Sequence, residues 1–195
     1  MIDSSKVRNS YQKLFVDNVA VALPSTLSPL AITVTALAVG VAVLPLLALE
    51  IPYFALACLL ISGYLDTLDG ALARMKEAVT PQGAVLDIVS DRIVEAAVII
   101  GLFLVEPVER ALPSILMLAS VLVCVTSFLV VSIFIQNRSE KSFYYSPGLM
   151  ERTEAFFFFA AMIIFPSLFI PLAYLFTIAV FYTAFTRTFQ FIRKQ

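Results

Sequence analysis

Residues 96–105 read Ala-Ala-Val-Ile-Ile-Gly-Leu-Phe-Leu-Val. The run holds no charged or polar side chain and does not alternate. A membrane-crossing strand alternates apolar and polar side chains over about ten residues, so this stretch belongs to a helix and not to a barrel. Moving outward, it ends a longer apolar segment, 84–105. Five more such segments flank it, at about 29–49, 52–73, 112–135, 153–170 and 172–190. Each approaches the roughly 20 residues a helix needs to cross a bilayer. Composition agrees: 61% of the 195 residues are hydrophobic and 14% are charged, against about 45–50% and 25% in soluble domains. These values exclude an ordinary soluble globule, a disordered tail and a nucleic-acid binder with a basic face. The expected fold class is all-α integral membrane. One membrane-embedded domain fills 1–195, with an interfacial amphipathic helix over 1–27 and a bundle of six transmembrane helices over 28–195.

The basic residues orient the spans. Lys6, Arg8 and Lys13 precede the first; Arg74, Lys76 and Arg92 surround the second-to-third connection. Arg138, Lys141 and Arg152 flank the fourth-to-fifth connection, and Arg187, Arg193 and Lys194 close the sixth. Only Arg110 falls on the other side. Lys and Arg gather on the cytoplasmic side of membrane proteins, so both termini and the 74–83 and 136–152 loops are expected there. The setting is a multi-pass protein of a bacterial-type inner membrane. The N-terminal stretch lacks the central apolar run of a signal peptide. Val7, Tyr11, Phe15, Val19 and Ala22 recur every three or four residues, with Lys6, Arg8, Lys13 and Asp17 between them. That pattern suits a helix lying in the membrane interface; a helix packed on the loops is the alternative. Ser28-Pro29 reads as the cap and first turn of span one. Pro45, Pro166 and Pro171 are tolerable at span ends or as kinks.

Carboxylates stand where apolar residues are expected: Asp66, Asp69, Asp87, Asp91, Glu95 and Glu154. An Asp at mid-span costs about 2.5–3.5 kcal/mol on insertion scales. Asp66 and Asp69 are spaced i, i+3 near the end of span two. Asp87 and Asp91 are spaced i, i+4 near the start of span three. Each pair shares a helix face, and two antiparallel neighbours bring the pairs together. Arg74 and Arg92 offset only part of four clustered charges. There is no His, and Cys58 and Cys124 each sit in an apolar run. Any metal must therefore be held by oxygen, which favours Mg²⁺, Mn²⁺ or Ca²⁺. Two divalent ions nearly neutralise the set. Gly70 and Ala73 continue the Asp66–Asp69 face, and either leave room for a ligand or let helices pack closely.

The string Asp66-x2-Asp69-Gly70-x2-Ala73-Arg74-x8-Gly83-x3-Asp87-x3-Asp91 resembles the signature of the CDP-alcohol phosphotransferases (CDP-alcohol phosphatidyltransferases) at all eight fixed positions. The resemblance implies a membrane enzyme of phospholipid biosynthesis that uses Mg²⁺ or Mn²⁺, two ions in all, and is often a homodimer. It implies Asp66, Asp69, Asp87 and Asp91 as metal ligands, with Asp91 also the general base. Gly70, Ala73, Arg74 and Gly83 are implied at the nucleotide. Many members open span one with Pro-Asn-x-x-Thr; here Pro29 and Thr33 match and Leu30 replaces the Asn. Thr33 is thus a further nucleotide-side residue. Residues 148–155 resemble the opening of span five in phosphatidylinositol-phosphate synthases, with Arg152 at the first Arg position and Ala155 at the second.

The expected partners are the lipid bilayer, a CDP-linked lipid donor and a small alcohol acceptor. The donor implied is CDP-diacylglycerol and the acceptor favoured is a polyol or polyol phosphate, met by Arg152, Arg138 and Lys141. The alternatives are transfer of a CDP-amino alcohol to diacylglycerol, and a divalent-cation transporter using the same carboxylates.

Overall fold

A computed structural model describes residues 16, 18–22, 28–78, 80–136, 150 and 152–193. Among these residues there is no strand. The helices are α1 (Asn18–Ala22), α2 (Pro29–Val41), α3 (Val43–Ala48), α4 (Pro52–Met75), α5 (Pro81–Val105), α6 (Pro107–Gln136), α7 (Arg152–Ile164) and α8 (Phe169–Arg193), with a 3-10 turn at Pro166–Leu168 before α8. Proline marks the starts. Pro29, Pro52, Pro81 and Pro107 each open a helix, where the missing N–H is no loss and φ is preset. Ser28 and Thr80 cap α2 and α5, accepting from the Ala31 and Gly83 amides at 3.2 and 3.1 Å.

Several boundaries differ from the sequence expectation. The first span breaks at Ala42, because the Pro45 ring clashes with the carbonyl four residues before it, at Val41. The fifth expected span, 153–170, stops at Ile164. Phe165 precedes a proline and is held extended, and the chain reverses through 165–168. The second-to-third connection shrinks from about ten residues to five, 76–80, because both helices run further than their apolar cores. Among the described residues four segments are long and apolar enough to cross a membrane: Pro29–Ala48, Pro52–Met75, Pro107–Phe134 and Pro166–Arg193. Helix α5 is long enough but carries Asp87, Asp91, Arg92 and Glu95. Helix α7, with 13 residues, rises only about 20 Å. Of the N-terminal segment, Val16 and Ala20 are buried against Ile32, Leu68, Ala71 and Leu72, while Val19 and Val21 are exposed. Val7, Tyr11 and Phe15 lie outside the described residues.

The main core joins Leu47, Leu59, Val98, Leu102, Met117, Phe159, Phe169 and Phe176. There Arg110, 2% exposed, ties two chain reversals together. Its Nη1 donates to the Leu102 carbonyl at 3.1 Å, its Nε to Glu106 Oε2 at 3.0 Å and its Nη2 to the Pro166 carbonyl at 3.4 Å. The guanidinium also lies 4.6 Å from the Phe169 ring centroid. The one basic residue against the orientation rule is thus a buried tie and not a free surface charge.

Helix α2 packs against both α4 and α5, whereas the direct packing of α4 on α5 is sparse at most. Sequence reasoning expected these two to lie side by side. Instead α2 spaces them, and it approaches both most closely at Gly40. A Cβ there would meet Val94 Cγ2 at 2.5 Å and Ser62 Oγ at 2.7 Å. Ser62 Oγ in turn donates to the Ala36 carbonyl at 2.8 Å.

Replacing Arg110 by Met leaves the Leu102 and Pro166 carbonyls unpaired and strands Glu106. We expect a loss of about 2 kcal/mol, read as a lower unfolding midpoint in detergent.

Candidate active site

The C-terminal turns of α4 and the N-terminal turns of α5 end on the same side of the bundle. One carboxylate oxygen from each of Asp66, Asp69 and Asp87 lies within 4.8 Å of the others. Asp69 is buried and its Oδ2 has no hydrogen-bond partner. The Thr33 hydroxyl donates to the Pro29 carbonyl at 3.1 Å and also lies beside the Asp69 carboxyl group. Like charges about 4 Å apart repel by about 4 kcal/mol at an effective dielectric of about 20. Such a trio therefore calls for cations.

Arg152 supplies one. Its Nη1 pairs with Asp66 Oδ2 on α4, and its Nη2 lies 2.7 Å from Asp91 Oδ1 on α5. Its guanidinium sits 5.6 Å from the Phe156 ring centroid. The approach to Arg152 is anchored to α8 by the Met150 amide, which donates to Thr183 Oγ1 at 2.9 Å. Asp91 thus stands beside the trio, held by Arg152. Arg92, expected to offset the aspartates, gives its closer contact to Glu95, with Nη1 2.8 Å from Oε2. Its Nη2 is 3.8 Å from Asp91 Oδ2. Arg74 is exposed.

The small residues divide into two kinds. Gly63 and Gly101 sit at tight crossings, where a Cβ would meet Phe156 Cε1 at 2.7 Å and Leu44 Cα at 3.1 Å. Gly70 does not: a Cβ there would meet only Arg74 Nη1, at 3.4 Å. Of the two roles weighed for Gly70, close helix packing is not the one the structure gives it. Open space lies over Gly70, directly beside the buried Asp69. Ala73 is half-buried on the same face, and Gly83 lies at the start of α5 with its amide on Thr80. Arg138 and Lys141 lie outside the described residues.

A cavity of about 380 Å³ opens next to Asp87 and Asp91, between α5, α6, α8 and the start of α7. Arg152 lines it, as do Glu95 of α5, Cys124 of α6 and Arg187 of α8. The sequence reading treated Arg187 only as an orienting charge. Its Nη1 instead donates to the Cys124 carbonyl at 3.3 Å, and its guanidinium lies 5.3 Å from the Phe128 centroid. For Glu95 the missed signal was spacing: 87, 91 and 95 repeat every four residues along one face.

The two kinds of glycine give a paired prediction. Gly70→Ala gains up to about 1 kcal/mol from helix propensity, whereas Gly40→Ala loses about 1–3 kcal/mol from overpacking. Opposite shifts in unfolding temperature in detergent are the expected result.

Comparison with known proteins gives the family. The family described as CDP-alcohol phosphatidyltransferase matches residues 24–189. The chain is 35% identical over 171 residues to the inner membrane protein YnjF of Escherichia coli K12, covering 84% of this chain and 82% of that one. In fold it is similar to the phosphatidylinositol phosphate synthase PgsA1 of Mycobacterium tuberculosis, solved with CDP-DAG bound. The TM-score is 0.59 at 23% identity, over 92% of this chain and 90% of that chain. The expectation of an enzyme holds over that of a cation transporter: this multi-pass membrane protein belongs to the CDP-alcohol phosphatidyltransferase family, the transferases of membrane phospholipid synthesis.

Proposed function

We propose that the protein transfers a phosphatidyl group from CDP-diacylglycerol to a hydroxyl of a polyol or polyol phosphate, releasing CMP. The observation that carries this reading is the meeting of Asp66, Asp69 and Asp87 beside a cavity that Asp91 and Arg152 also line. CDP-DAG in the structurally similar synthase supports the choice of donor.

The acidic trio fits a divalent cation. Its donors are hard oxygens, they converge from two helices, and the buried Asp69 Oδ2 lacks a partner. Asp66, Asp69 and Asp87, with Asp91 adjoining, are the residues that hold Mg²⁺ or Mn²⁺, two ions in this reading. When bound, such ions neutralise pyrophosphate oxygens and stabilise the departing CMP.

The chain's own groups do the rest. The open space over Gly70 and Ala73 accepts the nucleotide, with Thr33, Arg74 and Gly83 around it. Asp91 takes the proton of the acceptor hydroxyl, the role His plays in many enzymes. Its Oδ1 lies 2.7 Å from Arg152 Nη2 and its Oδ2 3.8 Å from Arg92 Nη2. The acceptor oxygen then bonds to the lipid-side phosphorus, and the bond from that phosphorus to CMP breaks. Catalysis is largely positioning and electrostatics. Arg152 faces the cavity where the acceptor sits, and Arg138 and Lys141 are assigned to the same acceptor in this reading.

The bundle in this reading crosses the membrane six times. Helix α5 is the third span and the short α7 the fifth, with both termini and the site on the cytoplasmic side. An interfacial N-terminal helix and a homodimer complete the arrangement.

Two measurements test this. Purified protein given CDP-diacylglycerol, Mg²⁺ and a polyol phosphate is expected to release CMP, and Asp91→Asn to lower turnover at least about 100-fold. Near-normal turnover in that variant removes Asp91 from its role. Chelation with EDTA is expected to stop CMP release, and added Mg²⁺ or Mn²⁺ to restore it; activity that survives chelation contradicts the metal assignment.

A further inference from the structure

Glu95 lies one helical turn deeper than Asp91, on the same face of α5, and is 4% exposed. It lines the cavity together with Arg187, which reaches in from α8. The charges along this cavity are not evenly satisfied. Arg152 is engaged by Asp66 and Asp91, and Arg92 by Glu95. Arg187 has no carboxylate within ion-pair distance among the described residues, and its buried Nε has no hydrogen-bond partner. Glu95 Oε2 lies 2.8 Å from Arg92 but makes no well-directed hydrogen bond. The inner end of the cavity therefore presents an uncompensated guanidinium and a neutralised carboxylate with spare acceptor capacity. A site of that kind repels a cationic ligand, attracts an anionic group and accepts hydrogen bonds from neutral donors.

Resting on the transfer reaction proposed above, we propose that Glu95 is a specificity-determining residue that accepts hydrogen bonds from the non-reacting hydroxyls of the acceptor. The acceptor class is then a polyol bearing an anionic group, and not an amino alcohol or a single-hydroxyl phosphate. A buried oxygen built to receive a hydroxyl is left unpaired by an acceptor that lacks one, and this is how such a site discriminates.

Cys124 borders the same cavity and gives a binding readout that needs no turnover. In a Cys58→Ala background it is the one remaining thiol. The full-length protein in detergent with Mg²⁺ is treated with N-ethylmaleimide in the presence of myo-inositol 1-phosphate, 2-hydroxyethyl phosphate or ethanolamine. Myo-inositol 1-phosphate is expected to protect Cys124 at about tenfold lower concentration than 2-hydroxyethyl phosphate, a preference about the size of one hydrogen bond. Glu95→Met, which removes both acceptor oxygens, is expected to abolish the preference and Glu95→Asp to keep part of it. Equal protection by the two phosphates overturns the proposal. So does a preference that survives Glu95→Met, or strongest protection by ethanolamine.

In CMP-release assays Glu95→Met is expected to raise the KM for the polyol phosphate about tenfold, with little change in kcat or in the KM for CDP-diacylglycerol. A uniform fall in kcat with the acceptor KM unchanged overturns it, because Glu95 would then act only by placing Arg92. Failure of the transfer reaction itself appears as an absence of CMP in the unsubstituted protein, while the labelling result still decides the role of Glu95.

Discussion

Negative charge gathered at the apolar surface of a membrane bundle must be met by positive charge, and the arrangement of this protein follows from how that is done. Arg152 reaches across to Asp66 on one helix and Asp91 on another. It links two helices that barely pack on each other directly. The link works because the start of α7 is held in place by the Met150–Thr183 hydrogen bond to α8. The acidic site is thus assembled from α4, α5, α7 and α8, with α2 as the spacer. No single loop holds it.

The two ends of the bundle solve the same problem differently. At the far end Arg110 is buried, and its donors go mostly to backbone carbonyls at chain reversals. That is a structural use of a cation: it satisfies acceptors that helix termini leave open. At the site end the cations meet carboxylates, and some groups are left with capacity to spare. Asp69 Oδ2 and Arg187 Nε are buried without hydrogen-bond partners. Unsatisfied buried polar groups are costly, and most of those among the described residues lie at this end, which suits the site proposed there.

What was legible in the sequence was local. Pro29 was read as the first turn of span one, because a proline there has a direct steric consequence; Pro52, Pro81 and Pro107 open helices by the same rule. The spacing of Asp66, Asp69, Asp87 and Asp91 gave shared faces for the same kind of reason. Features that depend on distant partners were not legible. Arg152 is 86 residues from Asp66, and nothing in residues 150–155 alone says where its guanidinium goes. Arg187 looked like an orienting charge because its neighbours along the chain are unremarkable; only the approach of Cys124 and Phe128 reveals its place. The end of the fifth span was misplaced because hydropathy runs on through Pro166 while the backbone cannot.

The crossing at Gly40 has a mechanical meaning. From Gly40 to Thr33, beside Asp69, helix α2 is unbroken for seven residues, a rise of about 10 Å. Below Gly40 the helix is interrupted at Ala42. The upper part is therefore a short stiff lever whose pivot is Gly40, wedged between Val94 and Ser62. Any change in side-chain volume at that pivot is carried rigidly to the acidic residues. The spacing of the acidic oxygens thus depends on a residue two turns away that carries no side chain and no charge.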